Sequence, residues 1–165
     1  MTLASTNDLL AYLADLVEEL ERYAVTLLPP DDGDQIILGR DQGGSLVVDL
    51  EGRLPMSRRS GAVDLDLFER WRPTGRDEWA CVEYRYELRH HEIGYRRALH
   101  RHDEEHFVRM HGVATHEHCE ATLGVEACGH YYGLPVADAF DGFRRLYGTW
   151  LTDQKPDCAA LDCLD

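Results

Sequence analysis

Histidine is absent from the first 89 residues of this chain and from the last 35, and lysine is nearly absent throughout, since Lys155 is the only one. The other 16 basic residues are arginines, and 31 acidic residues leave a net charge of −14. This balance argues against general DNA or RNA binding, because phosphate affinity comes largely from Lys and Arg. An acidic, lysine-poor composition suits a salt-rich, halophile-like cytosol, and a GC-rich genome would also favour arginine over lysine.

The chain also lacks the segments that direct proteins into membranes. Its first ten residues contain no basic region followed by an apolar core, as a secretory signal requires. No run approaches the roughly 18 apolar residues of a membrane span. The five cysteines are an odd number without scaffold-like spacing, which predicts thiols in a reducing compartment. We therefore expect a cytoplasmic protein with no membrane partner.

Hydrophobic periodicity predicts a single α+β domain over residues 1–151, with an antiparallel, curved sheet flanked by an N-terminal and a C-terminal helix. Apolar residues from Leu9 to Leu27 recur at three- and four-residue steps. A capping box at Ser5 and Asp8 starts this helix, and Pro29–Pro30 stop it. A second apolar stripe, opened by Pro135, predicts the last helix. The acidic tail, 152–165, is expected to fray.

Short β-rich segments predict the sheet between these helices. The connector 39–44 joins two apolar runs as a hairpin. Alternation over 81–88 predicts a strand with one buried face, and further strands are expected near 94–100, 105–110 and 113–120. Residues 52–79 are expected to form a loop with some short structure. Tyr84 and Tyr86 are interpreted as core residues with hydroxyls at the rim, with a nucleotide-stacking platform as the alternative.

All nine histidines fall between His90 and His130. Imidazole is the side chain that titrates near neutral pH and the commonest metal ligand, so the window indicates proton transfer or metal binding. Between Arg85 and His111, six arginines stand against five acids. This locally cationic strip could hold a phosphate. No P-loop, nucleophile elbow, Rossmann fingerprint or HExxH motif is present, which disfavours those four enzyme classes.

The segment 116–120 is a candidate metal site. On a strand, residues two apart share a face, so His116, His118 and Glu120 would point together. Two imidazoles and a carboxylate suit Zn²⁺, Mn²⁺ or Fe²⁺. The alternative is that the histidines only form hydrogen bonds along an exposed strand. A second set, Cys119 with Cys128 and His130, has spacings unlike zinc knuckles, so buried thiols are the better interpretation there.

The segment 100–106 contains a second histidine cluster. His102 and Asp103 beside Arg101 could form an acid–base pair with a phosphate clamp, because positioned imidazoles and a cation suffice for metal-free ribonuclease chemistry. The planar guanidinium of arginine matches phosphate with two parallel hydrogen bonds. The alternative is a charged, solvated turn.

The order of these motifs resembles the TumE-family toxins of toxin–antitoxin modules, over residues 35–150. In that family a Y-x-Y strand precedes an R-x-D turn, a histidine-rich segment and a C-terminal helix. The matching residues here are Tyr84, Tyr86, Arg101, Asp103, His116 and His118. Glu104 stands where the family has asparagine, and Thr115 where it has histidine. The resemblance implies a small intracellular toxin that acts on RNA and is controlled by an antitoxin protein encoded nearby.

The leading hypothesis is therefore a ribonuclease or phosphodiesterase. His116 and His118 would serve as acid and base or as metal ligands, Arg101 would orient phosphate, and Asp103 would fix the tautomer of an imidazole such as His102. The alternative is a non-catalytic metal-binding or partner-binding regulatory domain. A third hypothesis is a globular protein whose histidines are ordinary surface residues.

Overall fold

The computed structural model of the chain describes residues 1–3, 5–28, 37–55, 62–92, 94–112, 114–120, 128–132 and 135–151. In chain order the elements are β1 (Thr2–Leu3), α1 (Thr6–Arg22), β2 (Thr26–Leu27), β3 (Ile37–Arg40), β4 (Leu46–Leu54), β5 (Val63–Pro73), β6 (Trp79–His90), β7 (Tyr95–Arg101), α2 (Glu105–His111), β8 (Thr115–Glu120), β9 (Cys128–Tyr132) and α3 (Ala139–Leu151). The predicted Pro29–Pro30 stop and the tail 152–165 lie outside these ranges.

The sheet is an open antiparallel meander. Its order is β2-β4-β5-β6-β7-β8-β9, while β1 pairs with β6 and β3 pairs with β4. Every strand pair is antiparallel, and from β4 to β9 each strand lies beside the next one in the chain. The predicted α+β class, with a helix at each end, is confirmed. So are the hairpin across 39–44 and the strands near 81–88, 94–100 and 113–120.

The first helix begins as predicted and ends earlier. The Ser5 side chain accepts a hydrogen bond from the Asp8 backbone N–H at 3.1 Å, which caps α1. The helix ends at Arg22, because Ala24 adopts a left-handed conformation with φ of 56°. The chain then turns into β2, which places Leu27 in a strand paired with β4. The prediction of helix through Leu27 is therefore wrong: the helical spacing of apolar residues continues to Leu27, but the helical backbone conformation ends at Arg22.

Two further predictions are wrong. Residues 52–79 include the 11-residue strand β5, whose buried row continues from Leu67 into the polar Glu69 and then Trp71, while Phe68 lies on the other face. Near the end of β5 a charged residue, Glu69, is therefore on the buried face and an apolar residue, Phe68, is on the other face. This reversal hides the two-residue period of the strand in the sequence. Residues 105–110 form helix α2, not a strand. This helix ends at Gly112, whose φ of 71° is one that glycine adopts readily.

The last helix begins later than predicted. Pro135 and Val136 precede α3, which starts at Ala139. The Asp138 carboxylate accepts a hydrogen bond from the Asp141 N–H at 2.9 Å and so satisfies the first turn. Among the described residues, no helix has the length and apolar character needed to cross a bilayer.

Both terminal helices contribute to the hydrophobic core on one face of the sheet, called here the core face. Leu16 of α1 and Phe143 of α3 belong to the same buried cluster as alternate residues of the central strands, such as Leu50, Leu65 and Leu88. Their neighbours along β5 and β6 are mainly charged and lie on the opposite face, the polar face. The sheet therefore separates an apolar layer from a charged one.

A buried carboxylate links both helices to the sheet. Glu69 is almost fully buried and accepts hydrogen bonds from the hydroxyls of Tyr12 at 2.7 Å and Tyr86 at 2.6 Å, and from the Trp71 indole N–H at 3.0 Å. The Tyr12 hydroxyl also accepts from the Ala139 N–H at 3.1 Å, at the start of α3. Burial raises the pKa of Glu69 despite the hydrogen bonds that it accepts. The network fixes the position of α1, α3 and β5 together.

The tyrosines of β6 are core residues, as predicted, but the predicted rim position of the hydroxyl is wrong for Tyr86, whose hydroxyl donates to the buried Glu69. The Tyr84 and Tyr86 rings are buried and stack on each other, with centroids 4.8 Å apart and planes 4° apart. Because both rings are covered, neither offers an exposed surface for a base, and the stacking-platform alternative is wrong.

Candidate metal centre

Strand register brings the two histidine clusters together. His100 on β7 lies directly opposite His116 on β8, and Ala98 lies opposite His118. Since side chains two residues apart share a face, His100, His116 and His118 all lie on the polar face. The two facing pairs form a square of four positions on this face, and Ala98, with its small side chain, occupies the fourth.

The three imidazoles form a compact group. The ring centroids of His100 and His118 are 4.6 Å apart, those of His100 and His116 are 5.4 Å apart, and those of His116 and His118 are 4.8 Å apart. The Nε2 atoms of His116 and His118 are within hydrogen-bond distance at 3.0 Å. One ring nitrogen from each histidine lies within 4.8 Å of the others. This group could hold a metal ion.

Burial keeps His100 in the protonation state that a metal requires. His116 is fully buried, His118 is 8% exposed, and His100 is half-buried. Burial lowers the pKa of His100 to about 2, with further lowering by the neighbouring His118 and His116. Its Nε2 is buried without a hydrogen-bond partner among the described residues. Neutral imidazole nitrogen is the form that binds metals.

The spacing fits a metal after a small adjustment. With Zn–N bonds of about 2.0–2.1 Å, two ligands at a tetrahedral angle lie about 3.3 Å apart. The His116–His118 nitrogen pair at 3.0 Å is already close to this value. The widest pair, within 4.8 Å, would have to approach by about 1.5 Å at most. Rotation of a half-buried ring such as that of His100 covers such a distance.

His102 adjoins the group, but Asp103 is engaged elsewhere. His102 is the first residue after β7. The centroid of its ring lies 4.9 Å from that of His116 and 5.8 Å from that of His100. The backbone N–H of His102 donates a hydrogen bond to the Ala114 carbonyl at 2.9 Å, which joins the two ends of the connection between β7 and β8. The Asp103 carboxylate accepts a hydrogen bond from Arg72 at the end of β5. The role of Asp103 in fixing a histidine tautomer stays a prediction.

The structure does not bring Arg101 to the histidines. Arg101 follows His100 on β7, so its side chain lies on the core face, where it lines a shallow recess with Cys81, Tyr84 and Asp138. Burial raises the pKa of the Cys81 thiol in that recess, which keeps the sulfur protonated. The predicted phosphate clamp at Arg101 is therefore on the other side of the sheet from His116 and His118.

The remaining predicted ligands are placed only by backbone register. Glu120 pairs with Arg96, His118 pairs with His130, and Cys119 pairs with Cys128. The side chains of Glu120, Cys119, Cys128 and His130 lie outside the described part of the structure.

Sequence patterns do not place two residues of this region. They put His100 in a separate cluster, because helix α2 separates β7 from β8 and hides the hairpin that pairs them. They show Arg85 only as part of a cationic strip, although it lies directly opposite His100 on β6. The two-residue spacing of the histidines in 100–102 and in 116–118 indicates a shared face within each segment. Only the register of β7 against β8 shows which histidines of the two segments lie close together.

No protein-family model, curated protein or solved structure matches this chain. Membership of the TumE family therefore stays a prediction, and function has to be inferred from the site itself.

Proposed function

We propose that this protein binds one divalent transition-metal ion through ring nitrogens of His100, His116 and His118, and that Zn²⁺ is the preferred ion. The observation that carries the proposal is the convergence of three largely buried imidazoles from adjacent strands on one point of the polar face. A buried ring nitrogen without a partner is costly, and a metal ion would supply one to the buried Nε2 of His100, which has no hydrogen-bond partner among the described residues.

The donor set favours zinc over manganese. Imidazole nitrogen suits Zn²⁺, Cu²⁺, Fe²⁺ and Ni²⁺, whereas Mn²⁺ prefers carboxylate and carbonyl oxygen. All three ligands of the described group are nitrogens. A non-haem Fe²⁺ site usually combines two histidines with one carboxylate, and Glu120 is the residue that would supply it.

A centre of this kind has room for chemistry. Three protein ligands leave one position of a tetrahedral zinc site for water or another small ligand, as in catalytic zinc sites. Zinc lowers the pKa of such a water to about 7 and polarises a bound carbonyl or phosphoryl group. His100 and His102 are half-buried, whereas His116 is fully buried.

The test is metal binding by the purified protein and by two single variants. Wild type should bind one Zn²⁺ per chain in a competition titration with a chromogenic chelator. At a free Zn²⁺ concentration of about 100 times Kd, binding should add about 2.7 kcal/mol of stability. For a domain of this size that raises Tm by about 5–10 °C.

His100→Ala should weaken Zn²⁺ binding by about 100-fold or more, because a ligand contributes at least as much as a supporting residue outside the ligand shell. His91→Ala is the matched control: this histidine is exposed and pairs with Asp64 at 2.9 Å, outside the group. Equal loss in both variants, or wild type without Zn²⁺-dependent stabilisation, would contradict the proposal.

Cleavage of RNA at this centre is the second candidate function, favoured by the half-buried His102 ring, whose centroid lies 4.9 Å from that of His116. Tightly induced expression of wild type should arrest growth of a salt-matched host, whereas the soluble His116→Ala/His118→Ala variant should not. Normal growth with wild type would favour a regulatory metal-binding domain over a toxin.

A further inference from the structure

The charges on the polar face balance almost completely. On β5, β6 and β7 this face carries four acids and five arginines: Asp64, Asp66, Glu83, Glu87, Arg70, Arg72, Arg85, Arg89 and Arg96. Three neutral histidines add no charge, so a divalent ion would leave the centre with a net charge of about +2. The ligand that completes such a centre is therefore expected to be an anion.

Register places Arg85 directly opposite His100 on the neighbouring strand, and opposite Phe68 on its other side. Residues that face each other across an antiparallel pair have Cβ atoms about 4.5–5.5 Å apart. The guanidinium is turned toward β5, where it binds Asp66 at 3.0 Å, so it would rotate toward His100 to reach a ligand at the centre. The guanidinium carbon of Arg85 lies 5.5 Å from the centroid of the Phe68 ring, which supports it from one side.

Arg85 keeps donors available for a ligand. Its Nη2 donates to both carboxylate oxygens of Asp66, at 3.0 and 3.3 Å, while its buried Nε has no hydrogen-bond partner among the described residues. The side chain is 43% exposed, so the guanidinium reaches solvent on the polar face. A buried donor without a partner is costly, and a bound oxyanion would satisfy it.

We propose that Arg85 binds an oxyanion, a phosphate or carboxylate group, whose second oxygen occupies the open position of the metal centre. This inference rests on the proposed metal site. The guanidinium of arginine matches both groups through two parallel hydrogen bonds, which gives a fixed orientation that a lysine would not provide. Arg85 thus takes the role that the sequence had suggested for Arg101.

The neighbouring arginines are less suited to this role. Arg96 donates to Glu87 at 2.8 Å, and Arg89 donates to the same carboxylate. The acids near Arg85 include Glu83 and Glu87 on its own strand, Asp66, which it already binds, and Asp49, whose pKa is raised by burial and by the charge of Asp66. The last two are on β5 and β4. Repulsion from these carboxylates makes anion binding depend on the metal.

The test begins with protein loaded with Co²⁺ in place of Zn²⁺, whose visible spectrum reports on the coordination sphere. Inorganic phosphate and, separately, acetate are titrated into wild type and into Arg85→Gln. Phosphate or acetate should change the spectrum of wild type, and the tighter of the two identifies the class of oxyanion. Arg85→Gln should weaken that binding by about tenfold or more, the effect of one charge-assisted hydrogen bond.

Two controls separate the contact from general electrostatics. Arg89→Gln removes the same charge from the same face of β6 at nearly the same exposure, 42%, four residues away, and should change anion affinity by less than about threefold. The double variant Asp66→Asn/Arg85→Gln preserves net charge and should bind the anion as weakly as Arg85→Gln. Recovery of affinity in the double variant would show that an unpaired Asp66, not a lost contact, caused the effect.

Failure of the inference is distinguishable from failure of the metal site. If Co²⁺ binds and neither anion changes the spectrum, or if Arg85→Gln and Arg89→Gln weaken binding equally, the role of Arg85 is overturned and the metal site stands. If wild type binds neither Co²⁺ nor Zn²⁺, both proposals fail.

Discussion

Replacing Gly142 by alanine tests how closely α3 packs on the sheet. A Cβ at Gly142 would lie 2.3 Å from Cδ2 and 2.8 Å from Cε2 of Tyr86, distances that real structures essentially never contain. The Tyr86 ring cannot turn aside easily, because its hydroxyl is bound to Glu69 and its face stacks on Tyr84. The helix itself would therefore have to move.

The expected magnitude combines two opposing effects. Alanine is favoured over glycine inside a helix by about 1 kcal/mol. Overpacking of a dense interior typically costs about 1–3 kcal/mol, and a contact as short as 2.3 Å places Gly142→Ala at the upper end. The net effect should be destabilisation by about 1–2 kcal/mol. Gly148→Ala is the matched control in the same helix, because its Cβ would meet no atom within 4 Å. It should stabilise the protein by about 0.5–1 kcal/mol.

Urea unfolding followed by far-UV circular dichroism, with thermal melts beside it, measures both variants. Gly142→Ala should lower Tm by about 2–8 °C, and Gly148→Ala should raise it by about 1–4 °C. Equal stabilisation by the two substitutions would refute the reasoning, since it would mean that α3 does not contact Tyr86 as described.

Two buried glutamates should give opposite pH dependences of stability, measured by urea unfolding over a pH series. Burial raises the pKa of Glu69, so the folded protein binds this proton more tightly than the unfolded chain does. Stability contributed by Glu69 should fall as pH rises from the ordinary glutamate pKa through the raised one, and Glu69→Gln should remove that decline. Burial also disfavours ionised Glu87, but Arg96 and Arg89 outweigh it and lower the pKa. Its contribution should be present above the ordinary pKa and lost as pH falls through the lowered one, so Glu87→Gln should flatten the acid side of the profile. An unchanged profile in either variant would contradict the corresponding assignment.

Local patterns in the sequence predicted much of the fold. The cap at Ser5, the hairpin at 39–44 and the alternation over 81–88 are encoded within a few residues, so they could be recognised without tertiary contacts. Strand β5 could not, because its buried row includes Glu69, a carboxylate accommodated by hydroxyls from α1 and β6 and by the Trp71 indole N–H. The end of α1 likewise depends on pairing of β2 with β4.

The candidate site shows the same division. The sequence by itself determined that the histidines are confined to residues 90–130 and that His116 and His118 share a face, because a strand repeats every two residues. Only the tertiary structure decided that His100 joins them, and that Arg85 lies beside this group while Arg101 lies on the opposite face. The physical reason is register: backbone hydrogen bonds between strands distant in sequence fix which residues face each other, and a shift of one residue would reverse every face.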